Sequence, residues 1–339
     1  MDCIPARMRA AVPALALCLC ASVLASAPRL ATAAANYVDH PEARAFIERI
    51  STAHGLNAAE LRGLFQRAER QQAVLDAISR PAERVLNWGE YRQIFITDKR
   101  IDGGVAFWDK HAELLAHAEQ RYGVPAEIIV AILGVETFYG RYKGKYPALA
   151  SLATLAFDYP PRSKFFTREL EEFLLLVREE GIDPLTAKGS YAAAMGMPQF
   201  ISSSYRAYAV DFDDDGRRDL WHSLADVIGS VGNYFARHGW REGGAITERA
   251  NPTGDAWREL ANGKLKPALS REQLAGGGLE AGFEGPYTVM DLDNGEARES
   301  WVGAHNFYVI TRYNHSRLYA MAVYQLATQI RARRGLEPR

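Results

Sequence analysis

Apolar residues recur at three- and four-residue spacing along most of this chain, which predicts a mainly helical protein. The pattern marks helices over Ala43–Ser51, Ala58–Ile78, Gly103–Tyr122, Val124–Tyr139, Leu149–Asp158, Phe165–Glu180, Ser223–His238 and Phe307–Ala332. Gly55-Leu56-Asn57 breaks the first two, and Trp88–Phe95 is a short aromatic segment punctuated by Gly89. Asp158–Lys164 (DYPPRSK) is expected to run extended because of its two prolines. After Gly239-Trp240 the pattern changes: Gly and Pro cluster, and Ala245–Ala250, Tyr287–Asp291 and Arg298–Val302 alternate like strands. Asp293-Asn294-Gly295 reads as the turn between the last two. The fold class is therefore mainly α, with a small mixed α/β insert.

One stretch combines this pattern with chemistry. Val124–Gly144 reads VPAEIIVAILGVETFYGRYKG. Ile129, Ile132, Leu133 and Glu136 fall at i, i+3, i+4 and i+7, which places a carboxylate on an aliphatic stripe. Gly140 is the expected helix stop. Burial and the negative end of the helix dipole both push such a carboxyl toward its protonated form, as a general acid requires. The competing readings are a Glu turned to solvent at a fraying end, or one paired with Arg141 or Lys143.

Composition changes the picture little. The chain has 339 residues, 48% apolar and 24% charged, with formal charge −1, so no global basic field argues for nucleic acid. The N-terminus matters more. Arg7 and Arg9, the apolar run Ala10–Ala27 and the small residues Ala31, Ala33, Ala34 and Ala35 read as a secretory signal peptide over residues 1–34. All three cysteines, Cys3, Cys18 and Cys20, lie inside it, so the mature chain depends on its core rather than on disulfides. Lipidation of Cys18 or Cys20 would need small residues just before it; Leu17 and Leu19 stand there, and a lipid anchor is not favoured.

A second chemical signal is Asp211-Phe-Asp213-Asp-Asp215-Gly216-Arg217, the opening of an EF-hand loop, with oxygen donors at positions 1, 3 and 5 and the Arg217 carbonyl at position 7. His222 stands at position 12 in place of the closing Glu, and Asp226 is the next carboxylate able to close the cage. The expected ion is Ca²⁺; the alternative is an acidic surface turn. Metalloprotease, P-loop and nucleophile-elbow signatures are absent, and no organic cofactor is expected. Tyr and Trp are frequent, 16 and 6, and Tyr91, Tyr139, Tyr142, Tyr159, Tyr191, Tyr234, Tyr313 and Tyr319 lie in or near the loops that interrupt the helices, where amphipathic rings suit sugars; for any single Tyr, core packing is the alternative.

GVETFYGRYKG, GSYAAAMGMPQFISSSYRAYAVDFDDDG and NYFARHGW resemble the lytic murein transglycosylase B family, with matching positions from Tyr91 to Tyr319. The resemblance implies a lysozyme-like catalytic core over 124–240, a mainly helical domain from 35–123 and 305–339, and a small mixed insert over 241–304. It implies cleavage, without water, of the β-1,4 bond between N-acetylmuramic acid and N-acetylglucosamine, leaving a 1,6-anhydromuramoyl end. Glu136 would be the sole catalytic carboxylate, acting as acid and then as base. Ser190 would contact the substrate's N-acetyl group. Gln199, Tyr91, Tyr234, Tyr313, Asn314 and Tyr319 match other cleft positions, and Met195 and Phe200 would shape the wall. Arg162 matches one of two adjacent basic residues; Pro161 fills the other place, and Phe165 stands where some members have Tyr. The expected partner is the peptidoglycan glycan strand, with cell-wall synthesis proteins left open, in the periplasm and with a monomer as the default. A hydrolytic muramidase and a non-catalytic murein-binding protein are the alternative readings.

Overall fold

The computed structural model describes residues 36–79, 86–295 and 297–338. The signal-peptide reading and the cysteines lie outside the described residues. Fifteen helices and five strands are assigned among the described residues.

Helix α7 (Ala126–Thr137) is the centre of the fold. Helices α5 (Asp98–Lys110), α6 (Ala112–Tyr122), α11 (Leu224–Arg237) and α15 (Arg317–Arg333) all pack against it. Every residue from Ala126 to Val135 is buried, so α7 has no polar face. A second pair, α8 (Ala148–Phe157) and α9 (Ser163–Glu180), packs beside this group, and α10 (Ser202–Tyr208) leans on α9. Buried Glu169 fixes that contact: its two oxygens accept the Ser203 N–H at 3.0 Å and hydroxyl at 2.7 Å, at the start of α10. Desolvation raises the Glu169 pKa, and the two Ser203 bonds oppose the shift.

Two small sheets complete the architecture. Strands β1 (Tyr146–Pro147) and β2 (Lys188–Gly189) form a two-residue antiparallel ladder that pairs Tyr146 with Gly189. Strands β3 (Thr247–Ala250), β4 (Thr288–Asp293) and β5 (Arg298–Gly303) form an antiparallel sheet in the order β3-β5-β4. The expected turn at Asp293-Asn294-Gly295 joins β4 to β5, with Gly295 at φ 90° and its N–H bonded to Asp293 Oδ1 at 2.9 Å. This insert has its own apolar cluster around Trp257, Leu274, Tyr287 and Val302.

Three helix expectations and one loop expectation needed correction. Ala58–Ile78 is two helices, α2 (Ala58–Arg67) and α3 (Gln72–Ile78), because the backbone between them bonds elsewhere: Glu69 bridges to Asn36, and the Gln71 N–H donates to Thr154 Oγ1 at 2.9 Å. The predicted Gly103–Tyr122 helix starts earlier, at the Thr97 cap, and breaks at His111 between α5 and α6. Phe307–Ala332 is also two helices, α14 (His305–Tyr313) and α15, separated by extended Asn314 and capped anew by Ser316, whose Oγ accepts the Tyr319 N–H at 3.3 Å. Pro160–Arg162 coils into a 3₁₀ turn rather than running extended, since the fixed φ of proline also suits the first turn of a helix. No helix among the described residues is long and apolar enough to cross a membrane.

Candidate active site

Glu136 lies in the last turn of α7, where the buried helix emerges. The aliphatic stripe inferred from the sequence is therefore not what singles it out: α7 is buried on every side from Ala126 to Val135, and Glu136, in its last turn, is half-buried. Its Oε1 accepts the Tyr319 hydroxyl at 2.5 Å. The helix does not run on to Gly140. It stops at Thr137, and both Phe138 (φ 51°) and Tyr139 (φ 59°) adopt the left-handed conformation. Such backbone costs about 1–3 kcal/mol per residue and persists only where packing imposes it.

The packing responsible is visible. The Tyr139 ring enters a slot where Gly103, Gly104 and Gly134 let it pass; a Cβ on Gly104 or Gly134 would sit 2.6 Å from its hydroxyl oxygen. That hydroxyl donates to the Arg100 carbonyl at 2.7 Å, and the ring stacks on Phe107. Arg100 Nε in turn donates to the Gly134 carbonyl at 3.1 Å, capping an end carbonyl of α7, while its guanidinium lies 4.9 Å over Phe138. Thr137 Oγ1 donates to the Met197 carbonyl at 2.9 Å. The turn that carries Glu136 is thus fixed on several sides. Of the two cations considered as its partners, Lys143 donates to the Trp221 carbonyl at 2.7 Å and Arg141 lies over Phe138.

Tyrosines from four helices form a cluster on one side of the carboxylate, with Tyr319 and Tyr313 nearest to it in interaction. Tyr319, from α15, is buried and lies 6.4 Å from Tyr313 with the rings nearly parallel. Tyr313 donates to the Pro198 carbonyl at 2.6 Å, which ties α14 to the 189–200 loop. Tyr234, from α11, packs 4.8 Å from Tyr313 and donates to the Arg312 carbonyl at 2.6 Å. Tyr91 is buried on α4 (Trp88–Phe95) and raises the cost of ionising Tyr319. Burial first, and the Glu136 charge second, hold Tyr313 and Tyr319 well above the ordinary tyrosine value, so both remain neutral hydroxyls. Asn314 is half-buried in the α14–α15 link between the two.

The 189–200 loop closes the site. Gly144 (φ 91°) approaches the Gly189 backbone so closely that a Cβ there would lie 2.1 Å from the Gly189 carbonyl carbon. Ser190 Oγ accepts the Ala194 N–H at 3.1 Å, which leaves its own proton for another acceptor. Gln199 (φ 53°) donates its side-chain N–H groups to the carbonyls of Gly196 (2.9 Å) and Lys143 (3.2 Å). Met195 and Phe200 pair with each other through their backbones and are buried, so they support the loop from beneath rather than forming an open wall. Arg162 is exposed on the α8–α9 connection, where it stacks on Phe165 at 4.2 Å.

Some distance along the chain, carboxylate oxygens of Asp211, Asp213 and Asp226 lie within 4.8 Å of one another. Asp226 is fully buried. Its oxygens accept the N–H groups of Phe212 at 2.8 Å and Asp219 at 2.7 Å. Burial, with the charges of Asp213 and Asp211, raises its pKa. Three crowded carboxylates, one of them buried, are the donor set a hard cation neutralises. Asp215 falls outside this trio; its Oδ1 accepts the Arg217 N–H at 2.9 Å, and Asp211 Oδ2 accepts the Gly216 N–H at 2.8 Å.

Comparison with known proteins bears on this arrangement. Residues 39–328 match the family described as the transglycosylase SLT domain. The chain belongs to this family. The membrane-bound lytic murein transglycosylase B of Escherichia coli (strain K12) is 42% identical over 308 residues, covering 87% of this chain and 84% of the relative. A crystal structure of the soluble lytic transglycosylase SltB1 from Pseudomonas aeruginosa superposes with TM-score 0.83 at 51% identity, covering 87% of this chain and all of that one. The structure of the E. coli lytic transglycosylase Slt35 in complex with calcium gives TM-score 0.80 at 42% identity, over 88% and 95% of the two chains. The mainly helical fold with small antiparallel sheets is that of these transglycosylases.

Several residues that build the site in this SLT-family chain escaped the sequence reading. Arg100, Tyr139 and Lys143 act through backbone carbonyls, and a carbonyl carries no sequence signal. Gly103-Gly104 was a usable cue, since paired glycines inside a helical pattern mark a close approach by another group.

Proposed function

We propose that this chain is a lytic transglycosylase that cleaves the β-1,4 bond between N-acetylmuramic acid and N-acetylglucosamine in peptidoglycan and leaves a 1,6-anhydromuramoyl end. The observation that carries this reading is a single half-buried carboxylate, Glu136, set among neutral tyrosine hydroxyls. Glu136 is the acidic group that acts on both Tyr313 and Tyr319. The reading assigns the chemistry to this one carboxylate, unlike the two-carboxylate glycosidase scheme.

One carboxyl serves both half-reactions. Protonated Glu136 gives its proton to the glycosidic oxygen as the C1–O bond breaks. The resulting carboxylate takes the proton of the muramoyl C6 hydroxyl while that oxygen bonds to C1. The substrate's N-acetyl oxygen assists at C1, and the Ser190 hydroxyl, already accepting from Ala194, donates to the N-acetyl group. Gln199 has its N–H groups on backbone carbonyls and so presents its amide oxygen to the glycan. Tyr91, Tyr234, Tyr313, Asn314 and Tyr319 shape the cleft, Met195 and Phe200 support it, and Arg162 reaches outlying parts of the substrate. Tyr319 keeps the Glu136 carboxyl in one rotamer. The Tyr319→Phe variant is expected to lose about ten- to a hundredfold in kcat, the worth of one hydrogen bond to a charged group. Rates on sacculi with an unchanged far-UV spectrum are the check.

Asp211, Asp213 and Asp226, with Asp215 and the Arg217 carbonyl in the same loop, are the proposed holders of a structural Ca²⁺, whose chemistry is to neutralise the crowded carboxylates. The calcium complex of Slt35 supports the choice of ion. The signal peptide over residues 1–34 supports export to the periplasm, where a monomer acts on glycan strands. Mass analysis of digested sacculi tests the reaction: products lighter by one water than hydrolytic fragments are expected. Hydrated reducing ends alone would assign the protein to the muramidases instead.

A further inference from the structure

Leu220 and Trp221 touch three parts of the cleft at once. The Leu220 carbonyl accepts the Met197 N–H at 2.9 Å. The Trp221 carbonyl accepts the Lys143 ammonium at 2.7 Å. The Trp221 indole N–H donates to the Lys188 carbonyl at 3.2 Å, two residues before Ser190. On its other side the same segment hangs from the acidic loop. Asp219 Oδ1 accepts the Trp221 N–H at 2.8 Å, and the Asp219 N–H donates to Asp226 Oδ2 at 2.7 Å. Asp226 is the buried member of the carboxylate trio.

Lys143 completes this path. Its ammonium is on Trp221, while its own carbonyl accepts the Gln199 side chain at 3.2 Å. Gln199 sits at φ 53°, a conformation that needs support from its surroundings. Gly144, next in the chain, packs against the Gly189 and Ser190 backbone. One half-buried lysine thus joins the corner after α7, the Gln199 loop and the segment held by Asp226.

We propose that Lys143 is a positioning residue through which the acidic loop sets the geometry of the Gln199 and Ser190 loops, so that a divalent cation at Asp211, Asp213 and Asp226 tightens the hold on the glycan. The inference rests on the functional reading above. Its physical basis is that Asp226 has both oxygens committed to backbone N–H groups, one of which belongs to Asp219. A cation that fixes Asp226 fixes Asp219, and Asp219 fixes Trp221. Without the ammonium the Leu220–Met197 and Trp221–Lys188 contacts remain, but the link from Trp221 to the residue whose carbonyl holds the Gln199 side chain is cut. Coupling of this kind is reciprocal: glycan must tighten cation binding by the same factor.

The test measures binding rather than turnover. In the Glu136→Gln protein, soluble murein fragments are titrated calorimetrically with calcium and with chelator. Calcium is expected to tighten binding by about tenfold, within the usual range of coupling between sites. In Glu136→Gln/Lys143→Met the factor falls well below that of the parent, because the Lys143 link is lost while the Leu220–Met197 and Trp221–Lys188 contacts remain, and in Glu136→Gln/Lys143→Arg most of it returns. The melting temperature and its shift with calcium stay the same in all three proteins. An undiminished factor in the Met variant, an Arg variant no better than Met, or no coupling in the Glu136→Gln parent overturns the inference alone. So does loss of the calcium-dependent melting shift in the Met variant, which would assign Lys143 to folding of the acidic loop. Absence of murein binding in the Glu136→Gln parent overturns the functional reading, and the inference with it.

Discussion

The Glu136→Gln variant is expected to lose about a thousandfold in kcat on purified sacculi, in the middle of the range for removal of a general acid. The amide matches the carboxyl in shape and still accepts the Tyr319 hydroxyl, so the geometry of the turn survives. It has no proton acidic enough to give to a leaving sugar oxygen. It also has no basic oxygen to take the C6 hydroxyl proton afterwards. Because one residue serves both half-reactions, neither is rescued by a second group. Substrate affinity is expected to change little, since the tyrosines and the 189–200 loop are untouched, so the loss falls on kcat rather than on KM. The melting temperature is expected to hold, because Glu136 is half-exposed and its neighbours are fixed by contacts that do not involve it. Release of soluble muropeptides measures the outcome, and digestion at the wild-type rate would remove Glu136 from the mechanism.

The second large effect is on stability. Calcium present at a hundred times its Kd stabilises the folded chain by about 2.7 kcal/mol, and chelation removes that contribution. For a chain of this size the melting temperature is expected to fall by about 4 °C. The source is the crowding of Asp211, Asp213 and Asp226, whose mutual repulsion and desolvation the N–H groups on Asp226 oppose and a cation would relieve further. The Asp226→Asn variant keeps the buried volume but loses a ligand charge, and its melting temperature is expected to be insensitive to calcium. It is also expected to melt below the calcium-loaded wild type, because the amide has a single oxygen: one of the two N–H groups now held by Asp226 loses its acceptor and the other keeps only an uncharged one. Differential scanning calorimetry with calcium and with EDTA reads both effects. A wild-type curve that does not move on chelation would leave the trio as an acidic turn.

The chemistry of this protein was more legible than its geometry. Helix positions followed from apolar spacing, and the β4–β5 hairpin followed from Asp293-Asn294-Gly295. The breaks at Ala68–Gln71, His111 and Asn314 did not, because each answers to a tertiary partner or a local cap rather than to the periodicity. Asp226 was legible as the next carboxylate after position 12, and its oxygens do gather with those of Asp211 and Asp213. Asp215, drawn from the same motif, lies outside that trio, with its Oδ1 on the Arg217 N–H.

By itself the sequence determined the family and the mainly helical class, and it singled out Glu136 as the candidate carboxylate, since these depend on residue type, spacing and motif. It could not determine why Glu136 stands where it does. The stripe argument treated α7 as a surface helix with one wet side, whereas four helices enclose it and expose only its end. The left-handed turn at Phe138 and Tyr139, the Tyr139 slot between glycines and the Lys143 link to Trp221 are decided by atoms far apart in the chain. Backbone carbonyls receive most of these contacts, and every residue type carries the same carbonyl. Only the packed structure shows which one is used.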